Sequence, residues 1–188
     1  MLAPFIPPAR QAITQPREAA VTLMGMGVPR EALWPSFALL VLLSAILTYL
    51  GSGAATGEQI VFTPFHFVLV SALAGAASVF AIWKIGGAMG GTGTFENTLL
   101  LMVFLQALLF TGQLIEFGIF LIAPPIASLF SIVLIVWAFF VNLNFVAALH
   151  GFSSLLRSLG CLLLASFGVA LVVVSIMAFL GIQMPGAA

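Results

Sequence analysis

Apolar positions in this chain neither alternate nor keep to one helical face; they run on, in five stretches long enough to cross a bilayer. A helix that is hydrophobic all round has no side to offer water and is buried in a core or in lipid. The runs predict helices over residues 33–50, 64–85, 95–117, 125–149 and 154–182. The first begins near Trp34 and Pro35 and is expected to close at Tyr49 with the turn Gly51-Ser52-Gly53, leaving Trp34 and Tyr49 as interfacial anchors at opposite ends. The second ends on Trp83 and Lys84, whose long stem reaches the headgroups from a slightly buried position. Within it Ser71, Gly75 and Ser78 share a face, a spacing of small residues that lets helix backbones approach closely. Pro124-Pro125 marks a turn and a favoured helix start, and Gln183-Met184-Pro185 the exit of the last run. The stretch from Gly112 to Pro125 admits another division, and merging two spans into a re-entrant loop would flip the final helix.

Residues 1–32 have a different pattern. Met1 to Gln15 is proline-rich and is expected to be irregular, whereas Pro16 to Val28 has a helical start, with Pro16 near N1 and Glu18 in the first turn. Ala20, Leu23, Met24 and Val28 recur at helical spacing, which predicts either a short amphipathic helix lying in the membrane interface or a loosely ordered tail. Pro4, Pro7, Pro8 and Pro16 interrupt any compact apolar leader, so no cleaved signal peptide is expected.

Composition agrees with the pattern. The 188 residues are 63% hydrophobic and 5% charged, with a mean hydropathy of +1.29, against roughly a quarter charged in soluble domains. The expected class is an all-α integral membrane protein with five transmembrane helices. Charge then adds orientation. Arg10, Arg17, Arg30, Lys84 and Arg157 fall before or beside the first, second and fifth spans, while the intervening connections hold Glu58 and Glu116. Threaded this way, every cation lies on one side, which predicts a cytoplasmic amino terminus and a carboxyl terminus outside. Five scattered cations with a formal net charge of +0 do not form the basic footprint that nucleic acid requires. A single cysteine, Cys161, excludes an intrachain disulfide.

Candidate chemistry is sparse. Gln106, Gln113 and Glu116 form a stripe on the third span that should face other helices, either as hydrogen-bonding glue or as an ion or proton path. Asn142 and Asn144, two residues apart, cannot share a face, so one is expected to pair with the third span while the other caps or meets headgroups. The turn from Gly86 to Thr94 contains Gly90, Gly91 and Gly93 but lacks the Lys-Ser/Thr ending of a phosphate loop; it reads as a tight connection between close helices, with Thr94 capping the next. Lys84 and Glu96 flank it and are expected to pair. His150 with Ser153 or Ser154 supplies two residue types of a hydrolase but no third partner, and His66 falls on the opposite side from His150, which argues against a zinc site. No catalytic, cofactor or metal site is expected.

Two stretches resemble the Yip1-domain family in its bacterial branch: Gly90-Gly91-Thr92-Gly93-Thr94-Phe95 leading into Glu96-Asn97-Thr98-Leu99-Leu100, and Trp137 through His150-Gly151-Phe152-Ser153 into Ser154-Leu155-Leu156-Arg157. The resemblance runs from about Leu33 onward. It implies five membrane helices with a cytoplasmic amino terminus and, through the bacterial branch, a bacterial inner membrane with the carboxyl terminus periplasmic. Eukaryotic members are associated with membrane traffic and Rab-type GTPases, but the long amino-terminal region and the Tyr-Gly motif are missing here, so GTPase binding is not carried over. The expected function is a non-enzymatic membrane protein that associates laterally with itself or a larger complex among membrane lipids. Its docking rim would be formed by Pro16 to Val28, the Gly86 to Thr94 turn and His150 to Arg157, with Lys84, Gly90, Gly91, Gly93, Thr94, Phe95, Glu96, His150, Gly151, Ser153 and Arg157 as its residues. The competing expectation is a small transporter or lipid-handling protein using Gln106, Gln113, Glu116 and Asn144 as a polar route.

Overall fold

The computed structural model describes residues 3–56 and 63–179. Those residues are helical with short connections: a 3-10 turn at Ala3–Phe5, then α1 (Ile6–Thr14), α2 (Pro16–Gly25), α3 (Arg30–Thr56), α4 (Pro64–Ala88), α5 (Phe95–Ile122), α6 (Pro124–His150) and α7 (Leu155–Phe179). Five of them, α3 to α7, are long and apolar enough to cross a membrane. Glu58 and the final stretch from residue 180 lie outside the described residues.

Several boundaries differ from the sequence expectation. Met1 to Gln15 is not irregular throughout: α1 occupies Ile6–Thr14, with proline at its first positions, where a missing N–H costs no helical bond. The Gly51-Ser52-Gly53 turn does not form, and the α3 backbone stays helical to Thr56. α5 continues past Phe117 to Ile122, and a single extended residue, Ala123, separates it from α6.

The long helices alternate in direction, and α5 is the centre. α3 and α6 both pack along α5 but make no substantial contact with each other, while α4 packs along α7 and also touches α3. The amino ends of α3, α5 and α7 therefore meet the carboxyl ends of α4 and α6. Packing is uneven along this axis. Every buried residue of α5 except Gly112 lies between Thr98 and Leu105, and every buried residue of α6 except Ala127 lies between Val141 and His150. α7 repeats this, burying Ser158, Cys161, Leu162 and Ala165 near its start, with Met177 the exception.

α2 closes the dense end. Its Ala19, Ala20 and Leu23 are wholly buried, and it lies across α5 and α6. The apolar face expected to meet lipid is thus covered by protein, and α1 packs on α2 in turn. The reason is steric. Alanines at 19 and 20 let α2 approach the bundle closely enough for Leu23 to enter its core.

Candidate functional site

Two helix ends, capped alike, abut at the dense end. α4 terminates with Gly90 at φ +89°, where Gly91 N donates to Gly86 O at 2.9 Å and Gly90 N to Gly87 O at 3.0 Å. α6 terminates with Gly151 at φ +68°, where Phe152 N donates to Ala147 O at 2.9 Å and Gly151 N to Ala148 O at 3.4 Å. Both are left-handed glycine caps of the Schellman kind, which satisfy carbonyls the helix leaves open. Thr92 N donates to His150 O at 3.3 Å, joining one cap to the other.

His150 fills the space between them. It is 2% exposed and stacks on Phe152, with ring centroids 5.4 Å apart. Glycines make the room: a Cβ on Gly86 or Gly91 would overlap the imidazole, and one on Gly93 would stand 2.7 Å from Leu149 Cγ. The Ile82 backbone is the polar group that approaches the ring, without reaching hydrogen-bond geometry to either nitrogen. His150 here is a packing element between two helix ends. Ser153 is exposed, and Ser154 turns its hydroxyl to the α7 backbone, accepting from Leu156 N at 3.2 Å.

Around this plug the cations split into bound and outward-facing sets. Arg17 of α2 donates to Phe152 O at 2.6 Å and pins α2 to the connection after α6. Arg30 pairs with Glu96 at 3.8 Å and lies over the Phe95 ring, while Lys84 lies 4.1 Å above the Trp83 ring. The expected Lys84–Glu96 pair is therefore replaced: α3 brings Arg30 to the carboxylate, and the ammonium finds an aromatic face one residue away. Phe95 itself sits between Trp83 and Trp34, at 5.5 and 6.1 Å. Arg30, Phe80, Trp83, Gly93, Thr94, Phe95 and Glu96 line an open groove at this end. Thr94 accepts from Asn97 N at 3.2 Å and caps α5, and Arg157 stands exposed in the first turn of α7.

The polar stripe of α5 is divided among partners. Gln106 Nε2 donates to Ser44 Oγ of α3 at 2.9 Å, and Ser131 of α6 donates to Glu116 in a short hydrogen bond. Gln113 Oε1 is buried without a hydrogen-bond partner. Neither asparagine serves α5: Asn144 Nδ2 donates to Phe140 O of its own helix at 2.9 Å, and Asn142 Oδ1 is buried without a partner. Asn144 and Asn142 lie toward the dense end of α6, far along that helix from Ser131, so the route through Gln106, Gln113, Glu116 and Asn144 is not one continuous line. Ser44 and Ser131, and the bond that ties Arg17 to Phe152, were not singled out by sequence reasoning. No local signal marks them, since each matters only through a residue distant in the chain.

Among the described residues no group of three or more histidine, cysteine and acidic side chains is placed to hold a metal. The class of molecule that these features define is a multi-pass helical membrane protein with five apolar spans, sealed at one end and open at the other. The chain belongs to the Yip1 domain family, whose model matches residues 10–177. No curated protein and no solved structure matches it.

Proposed function

We propose that this Yip1 domain protein is a non-enzymatic membrane subunit that associates laterally with itself or with a larger membrane complex, using the dense end as its docking rim. The observation that carries the reading is the division of labour at that end. His150, the imidazole at that end, is walled off by glycines, while Arg30, Trp34, Lys84 and Glu96 are exposed on a floor fixed by two joined helix caps. Arginine and aromatic side chains on a rigid base are what protein interfaces favour.

Native mass measurement after gentle extraction tests it. A species heavier than the single 19.7 kDa chain is expected, and it should dissociate in Arg30→Ala with Trp34→Ala. Recovery of the lone chain only would overturn the reading. GTPase recognition is no part of it.

The rim faces the cytoplasm in this proposal, and the membrane is a bacterial inner membrane. Arg30, Lys84 and Arg157 stand at the end where α4 and α6 terminate, and Arg17 is bonded there to Phe152. The positive-inside rule places that end in the cytoplasm. Reporter fusions test this directly: a fusion after Ala123 should report the outer compartment and one after Phe152 the inner. The reverse pattern would sink the assignment.

The alternative, transport or lipid handling along the α5 stripe, keeps one supporting observation, a cavity beside Glu116. As a through-route it is weakened, because Gln106 is tied to Ser44 and Asn144 to Phe140.

A further inference from the structure

At the end opposite the caps, α3 and α6 stand apart on either side of α5, and the space between them is a cavity of about 630 Å³. Its lining is graded. Glu116, Ser128, Ser131 and Gln113 lie nearer the helix ends than Leu109, Leu134 and Ala138, with Phe117, Phe120 and Ala127 beside them on the outer side. The depth of the carboxylate follows from α5 itself. Glu96 sits beside Trp83 and Trp34 at the level of one aromatic belt, and Glu116 lies about 30 Å further along the helix at about 1.5 Å per residue. That is the thickness of a bilayer's hydrocarbon core, about 30 Å, so Glu116 reaches the opposite headgroup boundary while Leu134 and Ala138 remain among acyl chains.

The polar mouth is an acceptor surface. Ser131 directs its hydroxyl to Glu116 and to Ala127 O, and Ser128 directs its own to Pro124 O. Their protons are committed, so both hydroxyls are left to accept from a ligand in the cavity they line. Gln113 Oε1 adds a buried acceptor with no partner. Among the residues lining the cavity there is no lysine or arginine, so an anionic headgroup would meet a carboxylate with nothing to neutralise it. The complementary ligand carries N–H donors and positive charge above an apolar tail.

We propose that the α3/α5/α6 cavity is a binding site for a single phospholipid bearing a primary-amine headgroup, its ammonium on Glu116 and Gln113 and one acyl chain lying along Leu109, Leu134 and Ala138. The choice among lipids follows from donor count. A primary ammonium offers three N–H groups for charge-assisted bonds and balances its own phosphate, a quaternary choline offers no N–H, and phosphatidylglycerol leaves its phosphate charge unbalanced. The site stands independently of lateral association, which was placed at the other end of the molecule.

The full chain, purified and stripped of lipid, is titrated with phosphatidylethanolamine, phosphatidylcholine and phosphatidylglycerol in detergent, and adducts are read by native mass spectrometry. Phosphatidylethanolamine is expected to bind about tenfold more tightly than either other lipid, a ratio matching one charge-assisted hydrogen bond. Glu116→Gln should remove that preference, and Leu134→Trp should abolish the adduct by filling the tail channel. The wild-type selectivity itself needs no variant, so misfolding of either substitution leaves the test intact. Equal binding of the three lipids would overturn the proposal. So would phosphatidylethanolamine preference surviving in a monodisperse Glu116→Gln protein. Saturation by free phosphoethanolamine at comparable concentration would overturn the lipid source, and a second copy of the chain displaced by Glu116→Gln without lipid selectivity would replace it with a protein occupant.

Discussion

The two ends of this bundle are built from the same residue types and do opposite things with them. Where α4 and α6 terminate, glycines at 86, 91 and 93 are filled by a neighbouring imidazole and a leucine, and two caps share a hydrogen bond. Toward the other end, Gly118 has nothing within 4 Å of where a Cβ would be, and apolar side chains such as Leu129, Ile132 and Ile135 are exposed for lipid to cover. Glycine is thus required by packing at 86, 91 and 93, and again at Gly112, where a Cβ would stand 2.6 Å from Leu134 Cδ1, while Gly118 is unconstrained by neighbours. The difference teaches that order in this protein is concentrated where the connections are polar and carry the glycine caps, and that the spans diverge from there. In a bilayer such divergence is tolerated, because lipid rather than water fills the gaps.

Substituting the two kinds of glycine should break the comparison most sharply. Gly86→Ala or Gly91→Val drives a carbon into His150, which can neither leave its helix end nor move past Phe152. Overpacking of this kind costs about 3 kcal/mol, and the variant should lose its monodisperse peak on heating in detergent well below the wild type. Gly118→Ala should be neutral or stabilising by about 0.5 kcal/mol, since it adds helix propensity without a clash. The mechanism is checked by His150→Ala, which empties the cage: in that background Gly86→Ala should lose most of its cost, as residues in contact fail to add. A penalty unchanged by His150→Ala would show that the cage is not what Gly86 serves.

The same contrast explains what the amino-acid sequence makes legible. Five spans are visible because lipid imposes a composition on every residue of a run, and composition is local. The α1 helix is not, because Pro7 and Pro8 read as breakers unless their position at the helix start is known. Gly51 and Gly53 look like a turn, yet α3 passes through them, since glycine permits a bend and does not compel one. At the sealed end the motif residues Gly91, Gly93 and His150 are conspicuous in the sequence while their relation is hidden. Nothing in either stretch says that one carboxyl-terminal cap lies against the other. The Arg30–Glu96 pair is hidden likewise, because the nearer Lys84 offers the obvious partner along the chain and loses to an aromatic face in space.

The smallest effect belongs to the boundary between the two ends, where Gln106 donates to Ser44 across α3 and α5 at 2.9 Å. This bond lies past Leu105, the last residue of the buried run of α5 toward the dense end, and it is the polar tie before the helices open around the cavity. Interhelical hydrogen bonds in membranes average about 0.6 kcal/mol, because the separated helices also find partners. Ser44→Ala, Gln106→Leu and the double variant should therefore each shift stability by less than about 1 kcal/mol, with a coupling of about 0.6 kcal/mol in a double-mutant cycle. If Gln106 instead served as a hinge pin for the open end, Ser44→Ala would leave global stability alone yet raise hydrogen exchange in α3 beyond Ala45. A coupling near zero with that exchange pattern would move the boundary of the rigid region toward the caps, and the order of the bundle would then rest on glycine and histidine packing without help from the α5 stripe.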